Sequence, residues 1–300
     1  MNPLHRLRPR TARILDRRIE DVVAHVDRRQ AVFCGGHEVL TRTPSGQPIY
    51  VDMRDVSVAS HLALGEPYER GVTSTLAALA RPTDTFLDVG ANFGYHTVML
   101  APRLVGERAF VCFEPNPVVR RTLRRTLHAN GLAPRTSLEE VALSDREGTA
   151  TLSVWSDLWG GASLGRPEDA VAARRPWLGM TEVEESHTVP TTTLDRWADA
   201  HDLPALDLAK IDVEGHEDAV FTGMTALLDR SPDARVVLEF TFDAYADAEG
   251  FWARLGDAFP HRGAIDDDGR IVLVRTLGDL RAAATHELVN VVLSRPPLPA

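Results

Sequence analysis

The stretch Asp84–Thr97, D-T-F-L-D-V-G-A-N-F-G-Y-H-T, constrains this chain more than any other part of it. Phe86, Leu87 and Val89 form a short apolar run that breaks into Gly90, Ala91, Asn92, Phe93 and Gly94. Val98, Met99, Leu100 and Leu104 then follow at helical spacing. The pattern predicts a buried strand, a glycine turn and a helix N-terminus. A helix start offers unpaired N–H groups, and glycines let a ligand come close to the backbone. Such a unit opens a nucleotide-type site in an α/β sheet.

The glycine spacing narrows the ligand. A dinucleotide fingerprint reads G-x-G-x-x-G, its middle glycine admitting the pyrophosphate. Here the series is Asp88-x-Gly90-x-Asn92-x-Gly94, with asparagine at that middle place. An acid at the strand end repels a pyrophosphate but suits the ammonium of an amino acid. The second strand, Ala109–Phe113, ends in Glu114, a carboxylate able to accept hydrogen bonds from both hydroxyls of a ribose. Together these features suit S-adenosylmethionine, with its amino-acid end on the first loop and its ribose on the second.

The rest of the composition sets outer bounds. A length of 300 residues with 44% hydrophobic content is enough for one large α/β domain with additions, or at most two domains. A formal net charge of -10 disfavours a nucleic-acid groove. The two cysteines, Cys34 and Cys112, imply no disulfide framework and fit a reducing cytoplasm. No apolar segment is long enough to span a bilayer, so stable membrane association is not expected. Lys210 is the only lysine, in L-A-K-I-D-V-E-G, among basic residues that are otherwise arginine. An ammonium and a guanidinium are not interchangeable where space is tight, which marks Lys210 as constrained.

Along the chain, residues 1–36 are arginine-rich. Leu15, Ile19, Val22, Val23 and Val26 form a helical stripe suited to packing on the domain or on a second copy, as a homodimer. His37–Thr41 and Pro48–Met53 read as strands joined by a hairpin turn, and Leu62–Ala80 as mainly helical, with Glu69 either facing the cofactor loop or standing as a solvated acid at a helix start. Asn116 and Pro117 start a helix that ends at Asn130-Gly131. Thr136–Val141 is the third strand. Beyond it, Ser144 and Asp145 either meet the adenine or serve as turn residues leading into Ala150–Trp155. Residues 156–186 interrupt the alternation with Trp159, Gly160, Gly161, Ser163, Trp177, Glu182, Glu184 and Glu185, a segment suited to a lid or to a solvated insertion.

A second informative block follows helix Leu194–His201. The strand from Leu206 to Ile211 ends in Asp212, Glu214 and His216, and the next strand, Ala234–Phe240, carries Glu239. Open α/β sheets bind ligands outside the carboxyl ends of their strands, so these side chains are candidates for the reacting face. His216 or His96 could remove a proton from a hydroxyl. A divalent cation on Asp212 and Glu239 is an alternative that the sequence leaves open.

F-L-D-V-G-A-N-F-G-Y-H-T, F-E-P-N-P, A-L-S-D-R-E-G-T-A-T-L, T-L-D-R-W, K-I-D-V-E-G-H-E and V-V-L-E-F occur in this order over roughly residues 50–242. In that combination the sequence resembles the FkbM-type S-adenosylmethionine-dependent methyltransferases. The resemblance implies a doubly wound, Rossmann-like seven-stranded sheet of the class I methyltransferase kind, with one antiparallel edge strand. An N-terminal helix and β-hairpin extension would occupy residues 1–80. The methyltransferase domain would occupy 81–300, with an inserted loop at about 156–186. The resemblance also implies O-methylation of a hydroxyl on a sugar, polyketide or other secondary metabolite, and so a small-molecule or glycan acceptor. Asp88, Gly90, Asn92, Gly94 and Glu114 would hold the cofactor, with Glu69, His96, Asn116, Ser144 and Asp145 as further contacts. Asp212, Glu214 and His216 would lie at the substrate. The competing functions are a non-catalytic cofactor-binding or scaffold protein of the same fold, and a nicotinamide-dependent oxidoreductase, against which Asn92 argues.

Overall fold

The computed structural model describes residues 31–298 except 56, 156–157 and 165–182. In chain order it begins with β1 (Val32–Gly35), β2 (Glu38–Arg42), β3 (Pro48–Asp52), α1 (Val58–Ala63) and α2 (Arg70–Leu79). There follow β4 (Phe86–Val89), α3 (Tyr95–Leu100), β5 (Phe110–Phe113), α4 (Pro117–Ala129) and β6 (Thr136–Glu139). Next come β7 (Ala142–Leu143), β8 (Gly148–Trp155), β9 (Leu158–Leu164), β10 (Val183–Thr192), α5 (Leu194–Ala200) and β11 (Leu208–Ile211). The chain finishes with α6 (Glu217–Thr222), α7 (Thr225–Asp229), β12 (Arg235–Thr241), α8 (Ala248–Ala258), β13 (His261–Ile265), β14 (Ile271–Leu273), α9 (Leu277–Ala283) and β15 (Leu288–Ser294).

The central sheet runs β14-β13-β15-β12-β11-β4-β5-β6. From β4 the chain winds outward through β5 and β6, then returns to β11 on the other side of β4 and winds away through β12. The order therefore reverses at β4, where the carboxyl ends of β4, β5 and β11 open a crevice. Apart from Asp88 and Lys210 these strands are apolar, because helices cover both faces. Leu87, Val89, Val111 and Ile211 feed the cluster on one face, and Phe86, Phe110, Cys112 and Leu208 the cluster on the other.

The doubly wound α/β architecture is the one the motifs predict, with corrections. Among the described residues the central sheet has eight strands, not seven. Its antiparallel members are β15, inserted between β12 and β13, as well as the edge strand β14. The eighth strand arises because a tight turn at Asp266–Gly269 folds β14 back on β13. There the Gly269 amide donates to the Asp266 carbonyl at 2.9 Å, and Gly269 takes a left-handed φ of 83°.

The segment 62–80 is two helices rather than one, separated where Gly65 and Glu69 adopt positive φ. The described residues of the segment expected to be irregular at 156–186, namely 158–164 and 183–186, are β structure. With β8, β9 and β10 form a second sheet of order β7-β10-β8-β9, held by a long antiparallel β8–β10 ladder. The predicted N-terminal helix and its dimer face lie almost wholly in residues 1–30, outside the described residues, as do Trp177 and Glu182. The hairpin β2–β3 and α1 pack Ile49, Val51, Val58 and Leu62 against Phe93, Tyr95 and Val119, and so brace the glycine loop from outside. No helix among the described residues is long and apolar enough to cross a membrane.

Candidate active site

The loop after β4 turns on three left-handed residues, Gly90 (φ 79°), Asn92 (φ 50°) and Gly94 (φ 85°). Gly90 has a different reason from the one its motif suggests. A Cβ there would lie 1.9 Å from the carbonyl oxygen of Asp212, so the missing side chain lets the end of β11 close against the loop. The Asp212 amide completes that closure by donating to the Val89 carbonyl at 3.1 Å. Gly94 leads into α3, where a Cβ would meet the Leu123 side chain at 2.6 Å.

Glu114 locks two loops together. Its Oε2 accepts from the Asn92 amide and its Oε1 from the Asn116 amide, both at 2.9 Å. Each oxygen keeps a second lone pair for a hydroxyl donor. Burial pushes its pKa up to about 7, with Asp88 adding to the rise and the two amides and Arg120 opposing it. Asn116 is the cap of α4, accepting from the Val118 amide at 3.0 Å.

Asp88 is almost wholly buried, in register with Lys210 on β11 and Cys112 on β5. Its Oδ2 accepts from Thr97 Oγ1 at 2.6 Å, while Oδ1 is buried without a partner among the described residues. The ammonium beside it in the structure is that of Lys210, whose charge Asp88 helps to stabilise.

One cavity joins these parts. It is lined by Gly90, Asn92 and Glu114 from the β4 and β5 loops, by Tyr68, His96, Lys210 and Asp212, and by Glu214 of the β11 loop. Phe113, Val141, Ala142 and Leu143 add an apolar wall. The second sheet closes the roof through Leu152, Ala162 and Leu164 and is tied to the β11 loop where Ser163 Oγ donates to the Glu214 carbonyl at 3.2 Å.

Buried charges gather around Lys210. Lys210 is 4% exposed, and its Nζ lies 2.7 Å from Asp212 Oδ2 and 3.9 Å from Glu69 Oε2. Burial pulls the lysine pKa down, but Asp212, Glu69 and Asp88 outweigh it and hold the ammonium above its usual range. Glu69 Oε2 is also 2.7 Å from His96 Nε2. Burial alone would raise the Glu69 pKa, yet Lys210 and His96 bring it down to about 2. Glu239 moves the opposite way, pushed well above the carboxylate range by burial and by Asp212, Glu69 and Glu217. Carboxylate oxygens of Glu69, Asp212 and Glu239 come within 4.8 Å of one another, which makes this trio the candidate cation cluster among the described residues. Tyr68 adds a buried phenol, its pKa raised by burial and by the same carboxylates.

The remaining sequence candidates fall elsewhere. Ser144 and Asp145 do not line the cavity. Ser144 Oγ lies 2.9 Å from His216 Nε2 and donates to Asp145 Oδ1 at 3.2 Å, while Ser144 is joined by backbone to β10 through Thr192. The apolar residues just before them, Val141–Leu143, form the flat wall instead. His216 is likewise not a lining residue, and burial lowers its pKa. Glu69 meets both Lys210 and His96, the latter in the helix that leaves the glycine loop. Glu217 organises the β11 loop, accepting from the Val213 and Gly215 amides and from Tyr245 Oη at 2.8 Å. Tyr68 and the roof residues Leu152, Ala162 and Leu164 were not singled out by sequence. Tyr68 had a signal in its position beside Glu69, whereas the roof residues had only apolar alternation.

The buried oxygens suit the amino-acid and ribose parts of S-adenosylmethionine. Asn92 Oδ1 and Asp88 Oδ1 have no partner among the described residues, and Glu114 presents both carboxylate oxygens at the end of β5.

Comparison with known proteins gives consistent results. The family model described as the Methyltransferase FkbM domain matches residues 88–270. The 2-O-methyltransferase NoeI of Sinorhizobium fredii (strain NBRC 101917 / NGR234) is 28% identical over 203 residues, covering 64% of this chain and 73% of that protein. The hexuronic acid methyltransferase AglP of Haloferax volcanii is 28% identical over 161 residues, 53% of this chain and 58% of that protein. Among solved structures, methyltransferase FkbM from Methylobacillus flagellatus KT aligns at a TM-score of 0.44 and 12% identity, over 71% of this chain and 44% of that one. The chain thus spans less than half the length of that structural relative.

Proposed function

We propose that this chain, which belongs to the FkbM-domain methyltransferases and is therefore a methyltransferase, moves the methyl group of S-adenosylmethionine to a hydroxyl of a sugar. The observation that carries the reading is one cavity that brings together Asn92 and Glu114, Lys210 and Asp212, and the apolar Phe113 and Val141–Leu143. A methylating centre needs the cofactor and the hydroxyl held side by side, and this cavity offers polar groups for both beside an apolar wall. Relatives named as a 2-O-methyltransferase and a hexuronic acid methyltransferase support a sugar hydroxyl as the acceptor. A free glycan or small molecule in a reducing cytoplasm, with no nucleic acid, is the matching partner class.

In this reading Glu114 accepts from the ribose hydroxyls, Asn92 Oδ1 and the field of Asp88 hold the amino-acid end, and Val141–Leu143 lie along the adenine. The cofactor supplies an electrophilic methyl on a positive sulfur. Asp212 takes the hydroxyl proton: its Oδ2 is engaged by Lys210, which leaves Oδ1 for the acceptor. A base so placed contributes roughly 100- to 10,000-fold. Glu239 lies outside the cavity lining, and burial with Asp212, Glu69 and Glu217 pushes its pKa well above the carboxylate range. His216, bonded to Ser144, serves the loop and not the proton transfer.

Incubation with S-adenosylmethionine and a panel of methyl glycosides tests the proposal. The expected products are S-adenosylhomocysteine and a methyl ether on one ring hydroxyl. A methyl group delivered only to nitrogen or carbon acceptors would overturn it.

A further inference from the structure

The cluster of buried charges has one member that the proposed chemistry has used only in passing. Resting on the methyl-transfer reading above, we propose that Lys210 is a positioning residue for the transfer. It is an internal cation that orients Asp212 and Glu69 and stands where a divalent metal would otherwise bind among Glu69, Asp212 and Glu239.

Three independent observations carry this. The first is chemical identity: every other basic residue of the chain that is not histidine is arginine, and the single lysine falls at the third residue of β11. A compact ammonium fits a closed space between carboxylates that a planar guanidinium does not. The second is geometry. Nζ lies 2.7 Å from Asp212 and 3.9 Å from Glu69, two of the three residues whose oxygens converge within 4.8 Å. One of their two charges is already compensated by a buried cation, and a dication brought beside that ammonium would be repelled at short range. The third is connectivity. Among the described residues Asp212 is tethered through one side-chain oxygen, and Glu69, 3.9 Å from the same ammonium, lies 2.7 Å from His96 Nε2, so one ammonium links two lining side chains, Asp212 and His96. A reacting group must be held to within about 0.5 Å by its surroundings, and a flexible Asp212 alone at a loop start would not be. A metal would instead bind the acceptor oxygen directly. Lysine orients the base and leaves the acceptor to it.

Manganese titration of the full chain separates the alternatives. Wild-type protein is expected to take up no Mn²⁺ at the cluster at concentrations that saturate Lys210→Met, which keeps the aliphatic stem and removes the charge. Folded Lys210→Met is expected to bind one Mn²⁺, and adding Glu239→Gln is expected to abolish that binding. Lysine labelled with ¹³C at Cε gives one resonance in this chain, and Mn²⁺ should leave it sharp in the wild type. In turnover, Lys210→Met should lower kcat at least about tenfold with S-adenosylhomocysteine affinity held within about twofold, the split expected when a transition-state interaction is lost.

Wild-type binding of Mn²⁺ that broadens the lysine resonance and is lost in Glu239→Gln would overturn the proposal, as would a folded Lys210→Met that binds no Mn²⁺. If Lys210→Met does not fold, the wild-type titration and its lysine resonance decide alone. Failure of the wild type to bind S-adenosylhomocysteine would sink the functional reading instead, and the manganese arms would still judge the lysine.

Discussion

Glu114 should couple cofactor binding to protons in a way that can be worked out from the structure. Burial lifts its pKa from 4.5 to about 7 in the free protein, in spite of two amide donors. A carboxyl raised by folding binds more protons in the native state than in the unfolded chain. Its contribution to stability is therefore full below about pH 4.5, falls as pH rises, and is lost by about pH 7. A rise of about 2.5 units corresponds to roughly 3 kcal/mol across that window. Hydroxyls that donate to the carboxylate favour its ionised form, so binding a ribose there must expel the proton. S-adenosylhomocysteine affinity should then climb with pH up to about 7, by nearly tenfold per unit at the steepest, and level off above. Isothermal titration near pH 6 in two buffers of different protonation enthalpy reads the released proton directly. Glu114→Gln should bind more weakly, by about 1.5–3 kcal/mol, and release no proton. Affinity that is flat from about pH 5 to about pH 8 in the wild type, with no buffer dependence, would refute the assignment of the ribose to Glu114.

Three further outcomes follow from the same geometry. Asp212→Asn should lower kcat by roughly 100- to 10,000-fold with cofactor affinity nearly unchanged, measured by product formation on the methyl glycoside found active. Gly90→Ala should cost about 1–3 kcal/mol in chemical denaturation and weaken cofactor binding, because its Cβ meets the Asp212 carbonyl at 1.9 Å in a left-handed backbone. Arg235 makes a bidentate pair with Asp84 at 3.0 Å for both bonds, both side chains being almost fully buried. Arg235→Met should therefore cost about 3–5 kcal/mol of stability while leaving cofactor affinity in the folded fraction untouched.

How much of this was legible beforehand depends on how local the signal was. The glycine turn, the acid closing β5 and the charged end of β11 are each written within a few consecutive residues, and local sequence places them at strand ends. The purpose of Gly90 was not readable, because the atom it avoids belongs to Asp212, far away in sequence and adjacent only through the parallel β4–β11 register. Lys210 stood out by rarity, but its company of Glu69, His96 and Asp212 is assembled from three separate segments. Ser144 is bonded to His216, and the residues of that segment that line the cavity are Val141–Leu143, immediately before it. The second sheet was hidden because its β8–β10 ladder joins strands across a long intervening segment, and cross-strand pairing leaves little trace in one sequence. The extra strand β14 was concealed by its shortness, three residues after a tight turn.

A structure of the protein with S-adenosylhomocysteine bound tests the central claim most directly. The account predicts adenine against Val141–Leu143, both ribose hydroxyls on Glu114, the amino-acid end at Asn92, and the sulfur directed towards Asp212. Product bound outside this cavity, or with its ribose turned away from Glu114, would contradict it.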